Sequence, residues 1–352
     1  MDDTDHTRLT VDDTDHTRLT VDDAVRAGAR VLEQAGIDAP VVESRLLMGY
    51  ALADLPREGE PRVALSSTDL FMRGKESAPE VFTSWVQRRA QRVPLQHIVG
   101  SAEFGGLDFL SSPAGFIPRP ETELLVDWGD RWLRSYWTRR TTYELSRRLF
   151  SGHLTVVDVC SGPGTIALAL AHRLSSLETR DIEIIGLERD AGALELARAN
   201  EAQLRRRGLL REHVAVQFIQ ADVREPDIVG RLGLSGVAQL VLSNPPYVPE
   251  AALEQGLISP EVKADPHSAV FAGPDGMGLM NPLAQAIHLL SAPVAGVAVE
   301  HDDAKGADVR TVMEAHGMID VRQHQDYAGR DRFVTASIVR DPGFVPRSSV
   351  WR

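Results

Sequence analysis

Four residues carry the most specific chemistry in this sequence: Asn244-Pro245-Pro246-Tyr247, directly after the apolar run VAQLVLS at 237–243. Proline has no backbone N–H and a fixed φ, so two in a row make a stiff turn whose carbonyls face no competing donor. The side-chain carbonyl of Asn244 and the backbone carbonyl of Pro245 can then accept both hydrogens of one planar NH2 group. Tyr247 can stack on the flat face of the same group. Such a turn suits an amide or an exocyclic amino group. Asn-Pro and Pro-Pro also occur in plain turns, so the weight given to these residues rests on what precedes them.

Three further strand ends are polar. The run LTVVDV (154–159) leads into Asp158-Val159-Cys160-Ser161-Gly162-Pro163-Gly164. Gly162 and Gly164 allow a sharp turn and a close backbone approach to a ligand, with a helix following. Pro163 removes a donor and the spacing is not G-x-G-x-x-G, so the loop suits a phosphate poorly. The run IEIIGLE (182–188) ends in Glu188, whose carboxylate can accept both hydroxyls of a ribose. After VAVQFIQ (214–220) comes Asp222, placed to meet an adenine amino group, with Val223 beside it. Together they point to an adenosine-containing cofactor held by Asp158, Cys160, Ser161, Gly162, Pro163, Gly164, Glu188, Asp222, Val223 and Asn244.

The elements that must position these groups alternate from Leu154 onward. Apolar runs at 154–159, 182–188, 214–220, 237–243 and 293–300 alternate with helical patterns at 165–174 and 193–207 and with further loop and helix. This predicts an α/β fold with an open, doubly wound, mostly parallel sheet whose ligands bind beyond the carboxyl ends of the strands. A helix around 303–316 precedes the last two strands, near 319–325 and 333–339, which have no helix between them and should form an antiparallel pair at one edge. Upstream, Thr20 and Asp23 resemble a capping box opening a helix, a second helix starts at Pro40, and a third runs from about Pro79 to Arg92. Residues 56–75 read as a loop, 94–109 as a β-hairpin, and a long helix extends to about Phe150. The expected division is a disordered repeat at 1–19, a helical recognition domain at 20–93, a hairpin linker at 94–115, a catalytic domain at 116–340 and a tail at 341–352.

Composition narrows the function. The 352 residues carry a formal net charge of -12, against a protein that grips nucleic acid mainly through its phosphates. Part of that charge is local, because Asp2–Val11 and Asp12–Val21 are the same acidic decapeptide, too polar to bury a face. One cysteine, Cys160, excludes an intramolecular disulfide and a multi-cysteine metal site; it reads as a small loop residue rather than a nucleophile. The 11 histidines show no metal-ligand spacing, so no metal is expected. The start is acidic rather than basic-then-apolar, and no apolar run approaches the ~18 residues that cross a bilayer. A cytoplasmic protein without membrane contact is expected. Arg205 to Arg207 read as a solvated helix end, and Arg119 as either a lid residue or a carboxylate partner.

The glycine loop, Glu188 and Asn-Pro-Pro-Tyr resemble class I S-adenosylmethionine-dependent methyltransferases that act on nitrogen. A longer pattern is narrower. Pro94-Leu95-Gln96-His97-Ile98-Val99-Gly100, Glu103-Phe104, Ile117 through Glu123, and His301, Gly306 and Asp326 through Arg332 resemble the glutamine methyltransferases of peptide chain release factors. The resemblance covers about residues 20 to 340. It implies a seven-stranded methyltransferase sheet, S-adenosyl-L-methionine as cofactor, and class I release factors as protein partners, methylated on the glutamine of their Gly-Gly-Gln loop. It also implies a helical N-terminal domain that helps hold the partner. Two other readings use the same turn: methylation of an amino group on a DNA or RNA base, and of a ribosomal-protein glutamine. The loop at 160–164 departs from the family's common Gly-Thr-Gly-Thr-Gly, and Val223 stands where an aromatic residue often lies against adenine, implying a weaker stack.

Overall fold

The computed structural model describes residues 19–147, 153–177 and 181–340. Most of the acidic repeat, the last residues of the helix expected to reach Phe150, and the tail lie outside them. The described residues fall into two compact units, one drawn from Met1–Ala53 and Ala64–Gln91, the other from Asp54–Val63 and Arg92–Arg352.

The first unit is helical. Its helix Val21–Gln34 is capped by Thr20, whose hydroxyl accepts from the Asp23 backbone N–H at 3.2 Å and donates to the Asp23 carboxylate at 2.6 Å. It packs on Pro40–Leu52, close enough at Gly28 for Ser44 to donate to the Val25 carbonyl at 2.8 Å. The third long helix is Glu80–Ala90, whose buried Arg89 pairs with Glu43. The sequence reading of 56–75 as loop needs correction, because Ser67–Met72 is helical. Ser66 caps it just as Thr20 caps the first helix, accepting from the Asp69 N–H at 3.1 Å. Only Leu70 of this short helix is buried while Phe71 and Met72 are exposed, so no apolar period announced it.

The second unit opens with another correction. Residues 95–99, expected within a hairpin, form the short helix Leu95–Val99, which ends at Gly100 with the Gly100 N–H bonded back to Gln96. The hairpin follows as β1 (Ser101–Phe104) and β2 (Leu107–Leu110), antiparallel. Two side chains of the helix Ala191–Arg206 hold it: Asn200 accepts from the Leu110 N–H at 2.7 Å, and Gln203 donates to the Asp108 carbonyl at 2.9 Å.

The main sheet contains β3 (His153–Val159), β4 (Asp181–Glu188), β5 (Val214–Gln220), β6 (Ala238–Ser243), β7 (Ser291–Glu300), β8 (Ile319–Gln325) and β9 (Asp331–Val339). Their order is β5-β4-β3-β6-β7-β9-β8. The strands from β5 to β7 are parallel, while β9 runs antiparallel to both β7 and β8, giving the expected antiparallel pair at one edge. The chain leaves β3 for β4 and β5 on one side, then returns to β6 on the other. Loops leaving β3 and β6 therefore diverge at their carboxyl ends and open a crevice, the ligand position of doubly wound sheets.

Both faces of the sheet are covered. On one, the helix Glu123–Arg147 presents Trp128, Trp132 and Tyr136, with the Trp132 and Tyr136 rings stacked at 4.9 Å. On the other lie Met280–Leu290 and Gly306–Ala315. Trp132 reaches the sheet only because β7 carries glycine opposite it: a Cβ at Gly296 would stand 2.4 Å from the indole ring. Gly296→Ala should therefore destabilise the protein by about 1–3 kcal/mol through overpacking. A urea-unfolding midpoint equal to that of the parent chain would contradict this packing.

Candidate active site

A cavity of about 540 Å³ opens beyond the carboxyl ends of β3, β4 and β6. Of the residues singled out in the sequence, Cys160, Ser161, Gly162, Pro163, Glu188, Asp222, Val223 and the whole of Asn244 to Tyr247 line it. Asp158 and Gly164 do not; they shape the loop from behind.

Asp158 is fully buried at the end of β3. Its Oδ2 accepts from the Ala167 N–H at 3.1 Å, which ties the loop to the helix Thr165–Leu174, and its Oδ1 has no partner among the described residues. Burial pushes its carboxyl up to about 8. Gly164 has φ +82°, and a Cβ there would lie 2.7 Å from the Phe218 ring, so both backbone and space demand glycine. Cys160 also has positive φ, and burial pushes its thiol up, which keeps it neutral and fits the loop role. The Pro163 carbonyl accepts from Asn200 at 3.1 Å, so one buried asparagine joins the hairpin to the loop.

Glu188 is braced at both oxygens. Its Oε2 accepts from the Gly162 N–H at 2.9 Å and its Oε1 from the Asp190 N–H at 2.8 Å. Burial raises its pKa, while these N–H groups pull it back. Each oxygen keeps a lone pair for a further donor. Asp222 differs: Arg224 binds it through Nη2 at 2.5 Å and Nε at 3.0 Å and holds its carboxyl below the usual range. Arg224 also lines the cavity.

On the other side, Ser243 donates to the Val159 carbonyl at 2.6 Å and locks the end of β6 to the end of β3. Asn244 follows. Its Nδ2 donates to Thr122 Oγ1 at 3.2 Å, which leaves Oδ1 as the amide's acceptor for a ligand. The Tyr247 hydroxyl donates to Glu300 Oε1 at 3.1 Å, so the ring is anchored at its far end. Two segments are tied together beside the turn. Arg119 pairs with Asp265 at 2.7 Å and lies over the Phe116 ring at 4.8 Å, while Asp265 also accepts from the Ile117 N–H at 3.2 Å. Burial pushes the Asp265 carboxyl up to about 6 against the pull of Arg119. Arg119 is thus both a carboxylate partner and a wall of the cavity.

Sequence reasoning did not single out Thr122, Glu300, Asp265, Arg224 or Asn200. Thr122 sits inside the motif at 117–123 and Glu300 immediately precedes His301, so those two were within reach. Asp265 lies 146 positions from its partner Arg119, and no local pattern marks it.

The strand order, with a glycine loop after the first main strand and an acidic end on the next, defines a class I S-adenosylmethionine-dependent methyltransferase fold. Residues 23–100 match the family model of the PrmC N-terminal domain. The chain is 35% identical over 314 residues to a release factor glutamine methyltransferase of Corynebacterium glutamicum, spanning 89% of this chain and 97% of that one. It is also 35% identical over 320 residues to the protein of that name in Mycolicibacterium smegmatis, spanning 89% and 96%. A solved release factor-specific protein-(glutamine-N5) methyltransferase from Alicyclobacillus acidocaldarius is 21% identical, covers 63% of this chain and 94% of its own, and superposes with a TM-score of only 0.33. The chain belongs to the release factor glutamine methyltransferase family.

Asp265→Ala removes the acceptor of the Ile117 N–H. Amide exchange at Ile117 should then quicken by about tenfold, the loss of roughly one buried hydrogen bond, with β3 and β6 amides unchanged. Unaltered exchange at Ile117 would show that the tie does not hold the segment.

Proposed function

We propose that Asn244, Pro245, Pro246 and Tyr247 hold a glutamine side-chain amide for methylation, and that the loop 160–164 with Glu188, Asp222 and Val223 holds the cofactor. The enzyme is an S-adenosylmethionine-dependent protein-glutamine methyltransferase acting on peptide chain release factors. The acceptor is the amide nitrogen of the glutamine in their Gly-Gly-Gln motif. One observation carries the site assignment: Thr122 takes the Asn244 amide nitrogen, so the Asn244 carbonyl is the acceptor on offer.

The cavity wall fits such a cofactor. Glu188 keeps open lone pairs on an immobilised carboxylate, which suits a vicinal diol, and the turn through Gly162 allows close backbone approach. When bound, S-adenosylmethionine supplies a methyl group already activated on a sulfonium sulfur, so the chain's task is positioning. An amide nitrogen is a poor nucleophile because its lone pair is delocalised. Asn244 Oδ1 and the Pro245 carbonyl accept its two hydrogens, fix its direction and favour positive charge developing on nitrogen. Tyr247 covers the flat face of the amide, and its ring favours a nearby cation. Held by these two oxygens, the amide nitrogen would accept the methyl group without a dedicated base in this chain, because its spare proton can leave to water.

Asp222 is engaged by Arg224, so its role towards adenine is shared with that guanidinium. The helical unit is proposed to help hold the protein partner. No described helix is long and apolar enough to cross a membrane, and a cytoplasmic location suits an enzyme that modifies translation factors.

Methyl transfer from labelled cofactor should mark a purified class I release factor and spare its Gly-Gly-Gln to Gly-Gly-Ala variant, bulk ribosomal protein and nucleic acid. Asn244→Ala should lower kcat by about a hundredfold or more, with cofactor affinity changed by less than about threefold. Near-parental turnover in Asn244→Ala would remove the amide clamp, and label on nucleic acid or ribosomal protein would replace the substrate.

A further inference from the structure

Of the groups in the amide clamp, the Tyr247 ring has the most freedom to lose. The main chain beside it is held: the Val248 N–H donates to the Val270 carbonyl at 3.0 Å, and the Val248 carbonyl accepts from the Ala272 N–H at 3.1 Å. The side chain still turns about two torsions, and the second is broad and roughly two-fold in tyrosine. A ring that is to cover the flat face of a small amide needs both of them set.

One contact acts on both. The Tyr247 hydroxyl donates to Glu300 Oε1 at 3.1 Å. That bond fixes where the tip of the ring lies. A phenol O–H also prefers the plane of its ring, because an oxygen lone pair is conjugated with it, so an immobile acceptor sets the ring's rotation too. Glu300 is such an acceptor. It is the last residue of β7, paired with Phe333 of β9, while the preceding Val299 pairs with Ser243, the residue from which the turn departs. Two neighbouring strands thus bring together side chains that are 53 positions apart in sequence. Glu300 has 1 % of its surface exposed, and its other oxygen, Oε2, is buried with no partner among the described residues. Burying a carboxyl group in this way costs free energy that an apolar side chain of similar size would not. Packing alone does not account for it, whereas accepting the Tyr247 hydrogen does.

We infer that Glu300 is a positioning residue: by accepting the Tyr247 hydroxyl it sets the tilt and the rotation of the ring that covers the substrate amide. This deepens the amide-clamp reading and rests on it. The role belongs to the acceptor oxygen rather than to the charge. Glutamine, whose side-chain carbonyl can take the same hydrogen, should therefore substitute for Glu300, and leucine should not.

The test uses the full chain in two ways. In the chain alone, with its tyrosines labelled with carbon-13, the flip rate of the Tyr247 ring is followed by nuclear magnetic resonance line shape. It should rise by about tenfold in Glu300→Leu, the loss of roughly one hydrogen bond, and stay within about threefold of the parent in Glu300→Gln. With a class I release factor as acceptor, Glu300→Leu should lower kcat by about tenfold with cofactor affinity within about threefold of the parent, and Glu300→Gln should recover most of the loss. Tyr247→Phe keeps the ring and removes the hydroxyl, so it should lose a similar factor. Glu300→Leu added to Tyr247→Phe should then cost nothing more, because the shared bond is already gone. A residue that only held the fold would lower kcat by the same factor in both backgrounds. Losses that multiply, parental kcat in Tyr247→Phe, or an unchanged flip rate in Glu300→Leu would each overturn the inference. Should Glu300→Leu not fold, Tyr247→Phe and Glu300→Gln decide, and a tenfold loss in Glu300→Gln overturns it as well. The acceptor is checked separately by peptide mass on the wild-type product. Methyl on another residue would refute the glutamine reading, whereas the flip rates of the chain alone would still report on the contact between Glu300 and Tyr247.

Discussion

One constraint runs through the carboxyl end of this sheet: polar groups sit where a dry sheet interior meets a cavity, and their orientation is set by fixed neighbours. Asp158, Glu188 and Glu300 are carboxylates that burial drives towards their neutral forms. The structure meets that cost in different ways. Glu188 is braced by the backbone N–H groups of Gly162 and Asp190. Asp158 fastens the start of the following helix through Ala167. Glu300 accepts from the Tyr247 hydroxyl. The result is preorganisation, in which the groups that meet ligands have their orientation set by buried partners before any ligand arrives.

The same logic explains why the turn is built from prolines. An amide NH2 needs two acceptors whose lone pairs are not already taken. Pro245 and Pro246 have no N–H, so these two positions add no backbone donor to hold the Asn244–Tyr247 turn. Its anchoring comes instead from the Ser243 hydroxyl below and the Tyr247 hydroxyl beyond. The parallel bridge between Val248 and Phe271 then fixes the segment that follows.

Much of this was legible in the sequence because strong local signals coincide. The apolar runs leading to Asp158, Glu188 and Asn244 are buried strands, and the absence of a helix between the last two strands correctly gave an antiparallel edge. Short elements were missed for a physical reason. Ser67–Met72 and Leu95–Val99 hold only a turn or so of helix, stabilised by caps and by tertiary contact rather than by an apolar period. The partners of the site residues were the other blind spot. Asp265 is remote in sequence from Arg119, and Thr122 from Asn244, so only the folded chain brings them together.

The central claim is that the Asn244 carbonyl and the Pro245 carbonyl take the two hydrogens of a glutamine amide. The most direct measurement is the structure of this chain with S-adenosylhomocysteine and a release factor domain carrying its Gly-Gly-Gln loop. The account predicts the glutamine amide nitrogen within about 3.2 Å of both oxygens, with the Asn244 amide nitrogen still on Thr122. A glutamine nitrogen held by other groups, or an Asn244 turned with its NH2 towards the substrate, would contradict it.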